Sequence, residues 1–169
     1  MTGLDQRKLE QVVRGRDLAG VGKRTDALMK TRGAISSLCF VEIKRHDTPL
    51  LAPQPYRPGT WAPSSELSGG VSQIQTTVQT AIENLGRALR LSDDAGDPTG
   101  EVLFNVQPRS CLVVGNLKQF ESELGVNEPK YRSFELYRRN IWRPEIITFD
   151  ELLQRARFIV DHDERATDE

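Results

Sequence analysis

The run Ser37-Leu38-Cys39-Phe40-Val41-Glu42-Ile43-Lys44-Arg45 constrains this chain more than any other segment. Its apolar residues fall at odd and even positions alike. A strand with one wet face alternates, whereas a strand apolar on both sides lies inside a sheet covered on both sides. The run therefore predicts a central strand over 37–45 in a mixed sheet, and with it an α/β fold. Thr25 to Lys30 reads as a short neighbouring strand. The tight connection Thr31-Arg32-Gly33-Ala34 makes that pair antiparallel.

The flanking segments supply the helices. Residues 4–14 place Leu9, Val12 and Val13 at helical spacing behind Asp5. Ser64 follows Pro63 as an N-cap. Leu67, Val71, Ile74, Val78, Ala81, Ile82, Leu85, Ala88 and Leu89 then recur every three or four residues. That pattern predicts one long amphipathic helix over 64–90. Cys111 to Gly115 reads as a second buried strand, and 117–124 and 129–140 as helices. Glu145 to Phe149 reads as a last strand. Thr148 and Glu151 form a capping box that opens a helix over 149–160. Its Leu152, Leu153, Ala156, Ile159 and Val160 are expected to face inward. The 169 residues predict a single domain over 1–160, with a charged, flexible tail over 161–169.

Two further stretches are loops. Residues 49–63 hold five of the nine prolines together with Tyr56, Arg57 and Trp61, more than a plain linker needs. Ser92 to Gly100 is acidic.

Composition excludes several functions. No window approaches eighteen consecutive apolar residues, so no membrane helix is expected. The first residues carry no apolar run, and Cys39 and Cys111 both sit in apolar surroundings. A reduced, cytoplasmic protein without a disulfide scaffold or zinc cluster is expected. Net charge is −1, but residues 1–57 carry +5 and residues 58–169 carry −6. A basic half is compatible with a polyanion partner.

That basic half holds the chemistry. In a strand, residues i and i+2 share a face, so Glu42 and Lys44 project together, about 6.6–6.8 Å apart. Asp26 lies on the neighbouring strand. Two carboxylates with an ammonium beside them suit a hard cation. Mg²⁺ takes oxygen ligands and keeps several waters, so Asp26, Glu42 and the carbonyl of Ile43 would suffice. Lys44 would position the attacking water and offset charge in the transition state. A lone Glu-x-Lys is equally the solvated face of a strand. Asp26 upstream and Gln73 on the helix downstream bring a metal-dependent phosphodiester-cleaving site level with that structural reading.

Gly22-Lys23-Arg24-Thr25-Asp26 and Phe40-Val41-Glu42-Ile43-Lys44-Arg45 resemble the core of the PD-(D/E)xK nuclease superfamily. Val41 to Leu51, Tyr56 to Trp61 and Glu66 to Ile74 are similar to the Shedu immune nuclease family. So are the later segments Cys111 to Gly115 and Ile146 to Ala156. The resemblance covers roughly residues 20–160. It implies a restriction-endonuclease-like fold and a metal-dependent DNA endonuclease of bacterial anti-phage defence. It also implies Mg²⁺, for which Mn²⁺ can substitute, and a homo-oligomer, dimer or tetramer. By position it makes Asp26 and Glu42 the metal-binding acids, Lys44 the catalytic lysine and Gln73 a supporting glutamine. Glu10 is the one candidate for a further acid from the first helix.

Other residues carry two readings each. Lys23, Arg24 and Arg45 are phosphate contacts or ordinary surface charge. His46 contacts phosphate, relays a proton or simply ends the strand. Tyr56, Arg57 and Trp61 clamp DNA, or Trp61 caps the core. Two alternatives to a defence nuclease remain. One is a catalytically silent DNA-binding or assembly module on the same fold. The other is a DNA-repair or mobile-element nuclease.

Overall fold

A computed structural model describes residues 27–30, 35–93 and 95–167. Asp26, Lys23, Arg24, Glu10 and the expected helix over 4–14 lie outside the described residues. The fold is mixed α/β. Two units divide the chain: one holds residues 1–42 and 71–111, the other residues 43–70 and 112–169.

In the first unit, β1 (Ala27–Lys30) and β2 (Ser36–Ile43) pair antiparallel, with Ala27 opposite Val41 and Lys30 opposite Leu38. The last residue of β2 reaches into the second unit. The sheet order is β1-β2-β4-β3, with β3 at Ala88–Ser92 and β4 at Pro98–Val113. β2 is thus internal, as its two apolar faces predict, and residues 38–42 are all buried. Leu38 and Phe40 pack with Leu103 and with Ile74 and Ala81 of helix α1 (Ser65–Leu85), whose C-terminal part belongs to this unit.

Helix α1 stops at Leu85, five residues short of the expected end. Gly86 takes a left-handed φ of +65°, the usual way to leave a helix. The buried Asn105 amide then donates to the carbonyls of Ala81 (3.2 Å) and Gly86 (3.0 Å). A residue of β4 is thus tied to the last turn of α1 and to the glycine that follows it. Ala88 and Leu89, which fit the helical period, instead begin β3, where Ala88 pairs with Phe104. The acidic loop is a tight turn: the Asp93 carboxylate accepts from the backbone N–H groups of Ala95 and Asp97. The strand expected at 111–115 is the end of the sixteen-residue β4.

The second unit begins where β2 ends. Lys44 donates its backbone N–H to the Val113 carbonyl (2.8 Å), and Val114 donates to Ile147 of β7 (Glu145–Ile147) at 3.0 Å. Gly115 has a φ of +60°, and a Cβ there would meet the Thr48 carbonyl and Leu50 at 2.7 Å. Only glycine fits. The helix expected over 117–124 is one 3₁₀ turn, Leu117–Phe120, followed by a small hairpin of β5 (Glu121–Ser122) and β6 (Gly125–Val126). Helix α2 spans Glu128–Arg139 and buries Phe134 against Phe120.

Helix α3 spans Phe149–Thr167, seven residues beyond the expected end at 160. Its capping box forms: Glu151 accepts from the N–H (3.1 Å) and the hydroxyl (2.9 Å) of Thr148. Leu152, Leu153, Ile159 and Val160 were expected inward and are exposed, as is Phe158. Ala156, also expected inward, is exposed as well, so the amphipathic pattern marked a face that the described residues leave open.

Candidate functional site

Strand alternation puts Glu42 on the same side of β2 as Leu38 and Phe40. That is the side covered by α1, the helix that carries Gln73. Glu42 is only 3% exposed. A carboxylate so deeply buried is costly unless it engages a partner or a cation. Gln73 belongs to the same unit and occupies an exposed position beside the buried Ile74. Ile43 ends β2 and is exposed.

Lys44 is half-buried in the second unit. A Cβ on Gly70 would lie 3.4 Å from Lys44 Cε and 3.2 Å from Leu112. The bare α1 backbone at Gly70 thus leaves room for the aliphatic stem of Lys44. The Gly69-Gly70 pair in an otherwise good helix is the sequence signal for this close approach.

The candidate phosphate contacts differ in availability. Arg45 grips its neighbour Asp47 through Nε (2.8 Å) and Nη2 (2.7 Å). The Arg45 hydrogen bonds hold the Asp47 carboxyl down at about 2, and Asp47 in turn raises the Arg45 guanidinium. A phosphate at Arg45 would therefore compete with Asp47. His46 lies edge-on to Phe149, centroids 6.3 Å apart.

The proline-rich loop is a built structure. The Ser64 hydroxyl donates to the Pro49 carbonyl (2.6 Å) and accepts from the Leu67 N–H (3.0 Å), capping α1 as expected. Gln119 bridges Thr48 and Leu50. At the tip, Tyr56 N–H donates to Thr60, and Thr60 N–H donates to Arg57. The Arg57 guanidinium rests over the Tyr56 ring at 5.5 Å. Trp61 is anchored through its backbone: the main-chain N–H donates to Ser133 Oγ (3.2 Å), and Lys130 Nζ lies over its ring at 5.7 Å. Arg132 donates to the Gly59 carbonyl (3.3 Å). Lys130 and Arg132 reach the loop from about seventy residues away in sequence, a convergence no local motif announces.

A second cluster is structural. Arg138 of α2 binds the Glu151 carboxylate at 2.7 and 2.8 Å, and Glu135 pairs with both Arg138 and Arg139. Burial pushes the Glu151 carboxyl up, but hydrogen bonds from Arg138 and Thr148 outweigh it and bring it to about 2.

Among the described residues, no group of three or more His, Cys, Asp or Glu is placed to hold a metal ion. No described helix is long and apolar enough to cross a membrane.

The family model described as "Shedu protein SduA, C-terminal" matches residues 4–153, nearly the whole chain. This chain belongs to the Shedu family. Shedu protein SduA of Bacillus cereus (strain B4264) is 30% identical to it over 125 residues. That match covers 72% of this chain and 30% of the relative, so the chain corresponds to a minor part of the longer Shedu protein.

Proposed function

We propose that this chain is the catalytic part of a Mg²⁺-dependent DNA endonuclease acting in bacterial anti-phage defence, built on a PD-(D/E)xK core. The observation that carries the reading is a Shedu family match across residues 4–153 that includes a buried acid, Glu42, two positions before a lysine. Strand register supports it. Ala27, which follows Asp26 in sequence, pairs with Val41, which precedes Glu42.

The residues fit a hard cation. Asp26, Glu42 and the Ile43 carbonyl offer only oxygen donors, the set that Mg²⁺ takes. Bound Mg²⁺, or Mn²⁺ in its place, supplies Lewis acidity and a water of lowered pKa. Lys44 orients that water and offsets the charge growing on the scissile phosphate. Gln73, a neutral amide, orients without adding charge. Lys23, Arg24, Arg45, His46 and Arg57 contact the DNA backbone, with Arg45 released from Asp47. A single active centre cuts one strand, so double-strand cleavage needs two copies. The exposed apolar face of α3, with Trp142 (89% exposed), is proposed as the contact between copies. The working place is the bacterial cytoplasm.

The test is a nicking assay on plasmid DNA with Mg²⁺, Mn²⁺ or EDTA, beside Mn²⁺ titration calorimetry. Asp26→Ala or Glu42→Ala should weaken metal binding and cleavage together. Lys44→Ala should keep metal binding, since a nearby positive charge disfavours a cation, and lose roughly 10²–10³ in rate. Gln73→Ala should lose less. DNA binding by the wild type with no cleavage under any metal would favour the catalytically silent module. Wild-type cleavage by Lys44→Ala would overturn the assigned roles.

A further inference from the structure

The tip of the proline-rich loop presents an aromatic ring and a cation side by side. Tyr56 is 72% exposed, and Arg57 lies over its ring. An exposed ring beside a cation on an ordered loop offers a surface on which a base can stack. The loop is held in shape from both sides: by its own turn bonds and by Ser133 and Arg132 of α2. An ordered loop binds without having to be ordered first, which favours affinity. Its charge has one sign. Residues 48–63 contain no Asp or Glu and one cation, Arg57. Lys130 and Arg132 stand beside it, Arg132 in an ion pair with Glu128 (3.2 Å).

We propose that Tyr56 and Arg57 form a dock for an unpaired nucleotide of the DNA substrate, the Tyr56 ring stacking on the base and Arg57 taking the adjoining phosphate. This rests on the nuclease reading above and refines which form of DNA the chain engages. The physical reason is access to a π-face. Within a duplex, each base is already stacked on its neighbours. An unpaired base offers a free face, and stacking on an aromatic side chain needs no particular sequence.

The experiment measures binding of the full chain in EDTA, where cleavage is silent, by fluorescence anisotropy. The probes are a labelled twenty-nucleotide thymidine strand and a labelled duplex closed by hairpins at both ends. Tyr56→Ala should weaken single-strand binding about tenfold, the loss of one base stack, and leave the closed duplex nearly unchanged. Tyr56→Phe, which keeps the ring, should bind like wild type. Arg57→Ala should weaken binding to both probes and lower the salt slope by about one. Lys118→Ala, an exposed lysine away from the loop, controls for loss of charge alone. The proposal is overturned if Tyr56→Ala binds the single strand normally, weakens both probes equally, or is matched by Tyr56→Phe. It also falls if the wild type binds neither probe. Because no step depends on cleavage, an inactive chain that passes this test would sink the catalytic reading and keep the dock.

Discussion

Helices α1 and α3 are of similar length, 21 and 19 residues, and both are amphipathic in sequence. Their apolar faces have opposite fates. In α1, Leu67, Ile74 and Ala81 are fully buried and Val71 is 5% exposed. In α3, Leu152, Leu153, Phe158, Ile159 and Val160 are 40–54% exposed. Periodicity marks which side of a helix is apolar. It carries no information on whether the covering surface lies in the same chain. For α1 the covering surface is in the chain: Leu38 and Phe40 of β2 meet it in the first unit. For α3 the described residues fix the foot, through Thr148, Glu151 and Arg138, and leave the apolar stripe exposed.

The largest effect that would break this comparison is in the core. Ile74→Ala should cost about 2–5 kcal/mol in a denaturation experiment, because the site is fully packed. Ile159→Ala should cost within about 0.5 kcal/mol on the monomer. Equal losses would remove the contrast.

The foot of α3 comes next. Glu151→Gln should destabilise by about 1.5–3 kcal/mol, since hydrogen bonds to a charged partner are lost. The carboxyl is held below its ordinary value, so its contribution is present above about pH 5 and fades as pH falls toward 2. The wild type should therefore lose stability on acidification across that window more steeply than Glu151→Gln. Parallel pH profiles of melting temperature would show that the Arg138 bond does not tie α3 down.

The smallest stability change should come from the open stripe. Phe158→Ser combined with Ile159→Ser should leave monomer stability within about 0.5 kcal/mol, while light scattering shows a lower mass than wild type. A wild type already monomeric at micromolar concentration would mean that α3 is not the contact between copies.

Much of the fold was legible because the deciding forces were local. The two-faced run around Phe40 became an internal strand. Ser64 capped α1 and the Thr148–Glu151 box opened α3, each satisfying backbone groups within one helical turn. The i, i+2 placement of Glu42 and Lys44 follows from strand geometry alone. The burial of Glu42 and the slot that Gly70 leaves for the Lys44 stem do not, since both depend on what packs alongside.

By itself, the sequence determined the two-faced strand, the caps of α1 and α3, and the order of acid, lysine and glutamine along the chain. These depend on residue spacing and on hydrogen bonds between near neighbours. Only the tertiary structure placed Ala88 and Leu89 in a strand, because their partners Phe104 and Leu103 come from β4 and the helical period gives no sign of that pairing. Only the tertiary structure turned Trp61 into an anchor, because Ser133 and Lys130 arrive from a distant helix. Only it left the α3 stripe exposed, because burial requires a matching surface, and helical spacing specifies just one side of that match.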